Sequence, residues 1–116
     1  MRIERELMRG AGPAAVLRLL EGGEKYAYEL IKLLERQSNG VLAMGQSTLY
    51  PMLYNLHAKG LVASRTAPKS DETSRPRKYY RLTEKGKKRL ARERKQWEAL
   101  SVAMNQLGLI GEGGAV

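Results

Sequence analysis

The apolar period of this chain changes twice, at Gly60 and at Thr83, and those two changes limit what it can fold into. Before Gly60 the apolar residues recur three and four apart, as amphipathic helices require. Residues 61–66 (LVASRT) and 77–83 (RKYYRLT) are instead rich in β-branched and aromatic residues and read as two strands. After Thr83 the helical spacing returns. Between the strands lies APKSDETSRP, too long for a tight turn and bounded by Pro at each end. It reads as an exposed, mobile hairpin tip.

The helical part before Gly60 divides at its glycines and prolines. RIERELMR (2–9) forms a short amphipathic helix that Gly10 and Gly12 interrupt. Pro13 opens a second segment, PAAVLRLLEGG, at a first-turn position where proline is tolerated. Val16, Leu17, Leu19 and Leu20 form its inner face, and Gly22 and Gly23 stop it. KYAYELIKLLERQSNG follows, with Tyr26, Leu30, Leu33 and Leu34 inward, Ile31 alongside, and Ser38-Asn39-Gly40 as the stop. VLAMGQ links to a helix that starts near Ser47, places Pro51 at or near its first turn, and closes at Gly60. Thr83 is a good N-cap for the last helix, which runs to about Gly108. Leu90, Trp97, Leu100, Met104 and Leu107 give that helix a heptad-like seam.

Three helices, a β-hairpin and a long helix make a mainly α fold of the winged helix-turn-helix class. Residues 1–83 are the winged helix-turn-helix domain, 84–108 a C-terminal helix that carries the seam, and 109–116 a Gly-rich tail that frays. In this arrangement the third helix enters the DNA major groove and the hairpin lies along the backbone.

Composition removes whole classes of chemistry. There is no Cys, hence no disulfide, thiolate metal site or thiol nucleophile, and a single His argues against zinc or iron. No catalytic triad set, phosphate-cradling glycine loop or metal spacing is found, so neither an enzyme nor a cofactor is expected. No stretch reaches the ~20 apolar residues of a membrane span, and the charged N-terminus lacks a secretory signal. A cytoplasmic protein is expected. The net charge of +9 is uneven, with residues 61–116 far more basic than residues 1–60. That is the footprint of a polyanion partner or, more blandly, of a well-solvated basic protein.

The third helix is the most informative stretch. Leu49, Leu53 and Leu56 share one face, with Met52 at its border. The other face holds Gln46, Ser47, Thr48, Tyr50, Pro51, Tyr54 and Asn55, with no acidic residue. Hydroxyls and amides can bond base edges or phosphates, and a face without carboxylates does not repel DNA. Two alternatives stay open: Ser47 and Thr48 could be N-caps, and Tyr50 could belong to the edge of the core. His57 reads as a surface or packing residue. In the hairpin, Lys69, Arg75, Arg77 and Lys78, with Asp71 and Glu72 among them, could form a solvated loop with local ion pairs, but clamping of phosphates is favoured because helix and loop would act on one face together.

STLYPMLYNLHAKGLV (47–62), followed by RPRKYYRLTEKG (75–86), resembles the PadR family of bacterial transcriptional regulators. The resemblance runs from about residue 7 to residue 107. It implies a homodimer built by the C-terminal helix, binding of double-stranded DNA at inverted-repeat operators, and repression of nearby genes. The short last helix resembles the compact branch of the family. One departure is Ala27-Tyr28, where members commonly have Gly-Tyr; Ala is the better helix former. Trp97 matches the position where some members stack a phenolic or flat hydrophobic effector, with Leu100, Met104 and Met8 as neighbours that would line such a cavity. A lone aromatic at heptad spacing is more often a large seam residue, and that reading of Trp97 is preferred. The alternative to a DNA-binding regulator is a winged-helix adaptor that binds protein, and it would need apolar residues on the outer face of 47–59.

Overall fold

The computed structural model describes residues 1–67 and 76–111. Four helices and three short strands follow one another as α1 (Arg5–Glu21), β1 (Lys25–Tyr26), α2 (Ala27–Gln37), α3 (Gln46–Ala58), β2 (Val62–Ala67), β3 (Arg77–Leu82) and α4 (Glu84–Gln106). The strands form one antiparallel sheet in the order β1-β3-β2, with Tyr26 opposite Tyr79 and Arg65 opposite Tyr79 from the other side. The expected mainly α fold with a β-hairpin is present, and the expected strands agree within a residue. The hairpin tip 68–75 lies outside the described residues.

The core gathers one stripe from each helix: Val16, Leu17 and Leu20 of α1, Leu30 and Leu34 of α2, and Leu49, Leu53 and Leu56 of α3. Leu61, Val62, Tyr80 and Leu90 close it from the sheet and α4. Each such leucine contributes about 1.5–3 kcal/mol by leaving water, which fixes how α3 is rotated. Its apolar face is spent inside, so its polar face must look out.

Three expectations need correction. The N-terminal helix is not broken at Gly10–Pro13; α1 runs through all of it. Met8, Gly12, Val16 and Leu20 form one continuous buried stripe, and tertiary contact overrides the local breakers. Gly12 lets α1 cross α3 closely: a Cβ there would stand 2.6 Å from Cε at the movable end of Met52. Tyr26 does not sit on the buried face of α2. It lies on β1, a two-residue strand, where its ring meets Tyr79 edge-on at 5.7 Å. Pro51 is also deeper than expected: it is the sixth residue of α3, so the Ser47 carbonyl loses its intrahelical donor.

Thr83 caps α4 as expected. Its hydroxyl accepts from the Gly86 N–H at 3.0 Å and donates to the Gly60 carbonyl at 2.6 Å. The Thr83 N–H also donates to the Leu61 carbonyl at 3.1 Å. One residue thereby ties the end of the α3 turn to the start of α4.

Beyond that junction α4 leaves the body of the protein. Its 23 residues span about 35 Å. The radius of gyration is 16.3 Å against the about 13 Å of a compact chain of this length. Met104 is half-buried, whereas Trp97, Leu100 and Val102 stay exposed.

Candidate nucleic-acid interface

Gly45, not Ser47 or Thr48, is the N-cap of α3, and its carbonyl accepts from Thr48 and Leu49. The side chains of Ser47 and Thr48 make no cap and are exposed, one turn from exposed Pro51 and two from exposed Tyr54 and Asn55. Gln46 and His57 are exposed too. The helix holds no acid in its first turn. The segment before α3 is tied down by Ser38, whose hydroxyl donates to the Leu34 carbonyl and accepts from the Leu42 N–H at 2.9 Å. The entry angle of α3 is therefore set by α2 as well as by the leucine stripe.

Tyr50 stands between α3 and the sheet. It is about half exposed and faces Tyr80, which is buried. Burial, and secondarily the nearby Tyr50 phenol, hold the Tyr80 hydroxyl above the ordinary tyrosine range, so it stays neutral. Tyr50 and Tyr80 share a cleft of about 170 Å³ with Tyr26, Tyr28, Arg77 and Lys78. This cleft joins the first turns of α3 to the base of the hairpin. Tyr28, in the first turn of α2, is not among the contact residues expected from the sequence. Helical spacing shows that it points away from the core, but not that it points toward α3.

Arg77 and Lys78 take opposite sides of β3, as strand alternation requires. The Arg77 guanidinium lies 4.6 Å from the centre of the Tyr26 ring, and the Lys78 ammonium 5.8 Å from that of Tyr80. Arg65 stacks on Tyr79 at 4.9 Å and pairs with Glu24, whose Oε2 accepts from Arg65 Nε at 3.0 Å. These contacts brace the base of the hairpin. Lys69 and Arg75 lie outside the described residues.

The Arg65 hydrogen bond holds the Glu24 carboxyl below its ordinary value, and the charge of Arg65 adds to this. A depressed carboxylate stabilises the fold above its unfolded pKa, and the contribution disappears as pH falls through the folded one. A side-chain NMR titration is expected to place the Glu24 midpoint below the ordinary glutamate value, and Arg65→Gln to return it there. Unchanged titration in that variant would remove the pair from the brace.

On the far side of α1 the seam expected along α4 splits. Leu90 is only 4% exposed and belongs to the protomer core, so it is not available to a partner. Trp97, 41% exposed, lines a groove of about 300 Å³ with Ala11, Ala14, Ala15, Leu42 and Leu90. Met8 is not among its neighbours. It is buried toward Gly12 and Met52. Leu100 is exposed, and Leu107 is the C-cap of α4 at 81% exposure.

α1 and α3 enclose a wider groove, of about 580 Å³. Arg2, Arg5 and Arg9 line one wall, and Ser47, Thr48, Pro51 and Asn55 the other. No sequence pattern marks these arginines, because their position depends on how α1 crosses α3.

A sequence profile described as the transcriptional regulator PadR-like family matches residues 16–92. The chain belongs to that family. Among solved structures, the PadR family transcriptional regulator from Eggerthella lenta is 34% identical, with a TM-score of 0.77 over 88% of this chain and 85% of its own. A transcriptional regulator from Clostridium thermocellum is 27% identical, with a TM-score of 0.77 over 87% of this chain and 96% of its own. A PadR-like transcriptional regulator from Bacillus cereus is 26% identical, with a TM-score of 0.75 over 92% and 99%. As a PadR-family protein the chain is a DNA-binding transcriptional regulator rather than an enzyme. No helix among the described residues is long and apolar enough to cross a membrane.

Proposed function

We propose that the chain is a cytoplasmic homodimer that represses transcription by binding an inverted-repeat operator. Each protomer sets α3 in the major groove and its hairpin against the flanking backbone. The observation that carries this is the outer face of α3: Gln46, Ser47, Thr48, Tyr50, Pro51, Tyr54 and Asn55 are all exposed, and no carboxylate stands among them. That face is too polar for an adaptor surface and well supplied with groups that bond base edges and phosphates.

The second half of α4 supports dimerisation. Trp97, Leu100 and Leu107 form an apolar row on a projecting helix, and a second copy would cover it. Met104 is half-buried beside them. The Trp97 groove is open and floored by alanines, and it would admit a planar hydrophobic or phenolic effector at that junction.

Titrating salt against a labelled duplex tests the reading. The affinity is expected to fall with a log–log slope of about −0.9 per phosphate contacted. Lys78→Ala and Arg77→Ala are each expected to weaken all duplexes alike and to flatten the slope by about 0.9 per protomer. A flat salt dependence in the unaltered protein would contradict DNA binding. An unchanged slope in both variants would remove the hairpin base from the interface.

A further inference from the structure

We propose that Arg2, Arg5 and Arg9 form a second backbone clamp, holding the DNA strand that passes the first turn of α3 on the side away from the hairpin. This rests on the DNA-binding reading above. Helical spacing puts Arg5 and Arg9 on one side of α1, and both line the groove whose opposite wall holds Ser47, Thr48 and Asn55. The backbone before α1 is not loose. The Ile3 N–H donates to the Val41 carbonyl at 3.0 Å, and the Ile3 side chain packs against the core, so Arg2 is held at the mouth of the same groove.

Charge points the same way. Glu4 and Glu6 belong to this segment but do not line the groove, which is therefore lined by basic and neutral side chains alone. None of the ion pairs among the described residues uses these three arginines. Their placement is also poor for the helix: Arg2 and Arg5 stand at the positive end of the α1 dipole, where cations are disfavoured. Three arginines that join neither the core nor an ion pair, beside a reading helix, fit a polyanion. The groove is continuous with the α3 face, and guanidinium groups match the phosphate oxygens of a strand running past it. With the hairpin base on the other side, α3 would be flanked by basic groups at both edges of the major groove.

The probe is a fluorescent duplex of mixed sequence, about three helical turns long. The unaltered protein is compared with Arg2→Gln/Arg5→Gln/Arg9→Gln and with the same three positions changed to Lys. The Gln triple is expected to lower the salt slope by about 2 to 3 per protomer and, at about 0.1 M salt, to lose roughly a hundredfold in affinity. The Lys triple is expected to keep the slope, because it keeps the charge. Thermal midpoints are expected to stay level, since the side chains bear on neither core nor ion pair. Each single Arg→Gln change, expected to remove about 0.9 of slope, carries the test if the triple folds poorly. An unaltered protein that does not bind the duplex overturns the DNA reading itself. A Gln triple with the full slope, or a Lys triple that falls as far as the Gln triple, overturns the arginine clamp while the DNA reading stands.

Discussion

Gly86→Ala is expected to destabilise the protein by about 3 kcal/mol or more and to lower its melting temperature by on the order of 10 °C. Gly86 lies in the first turn of α4, where that helix abuts the start of β2. A methyl group there would overlap the Leu61 carbonyl oxygen, and it would stand 3.0 Å from the Leu61 carbonyl carbon and 3.1 Å from Leu82 Cδ2. The obstacle is backbone, which cannot rotate aside as a side chain can. The Leu61 carbonyl is further fixed by the Thr83 N–H, and Thr83 by Gly86 itself. Moving the helix away to make room would break the cap and uncover Leu61 and Leu90. Gly12 makes a useful contrast: an added Cβ meets the end of the Met52 side chain, so Gly12→Ala is expected to cost much less. A thermal melt of both variants checks the pair. Equal midpoints for Gly86→Ala and the unaltered protein would mean that α4 and β2 do not pack as described.

The second large effect is expected on binding alone. Asn55→Asp keeps shape and size at an exposed position of α3, so the melting temperature should hardly move. It places a carboxylate on a face that otherwise has none. Like charges brought together in an interface cost several kcal/mol, and about 3 kcal/mol is more than a hundredfold in affinity. Asn55→Ala should be milder, relaxing preference at one operator position at about 1–3 kcal/mol. Fluorescence anisotropy on operator DNA reads both. An Asn55→Asp variant that binds as the unaltered protein does would take the C-terminal half of the α3 face out of the interface.

Much of the fold is legible in the residues because burial is periodic. Leu49, Leu53 and Leu56 announce which way α3 faces, and the shift to strand period at Gly60 announces the hairpin. Thr83 announces its cap by type and place. The failures share a cause, which is that the deciding contact lies elsewhere in the chain. The glycines and proline of α1 are local breakers, and only the crossing with Met52 shows that a small residue is wanted there. β1 is too short to carry any period. The seam of α4 is real as a pattern, yet a heptad does not say what covers it. The protomer itself covers Leu90, whereas Trp97, seven residues on, is left to something else. Gly86 stood out as part of a motif without its reason, which is the closeness of Leu61. Tyr28 and the α1 arginines come to stand beside α3 only through the packing of α1 and α2 against it.

In the proposed dimer, two copies of α3 read one duplex together. The direct measurement is recovery, from fragments of the source genome, of the DNA that the purified protein retains, followed by footprinting of the retained pieces. The expected result is a shared inverted repeat whose half-site centres lie about 34 Å apart along the duplex, or a multiple of that, with protection at both halves. Retained fragments that share no repeat, or a footprint confined to a single half-site at saturation, would contradict it.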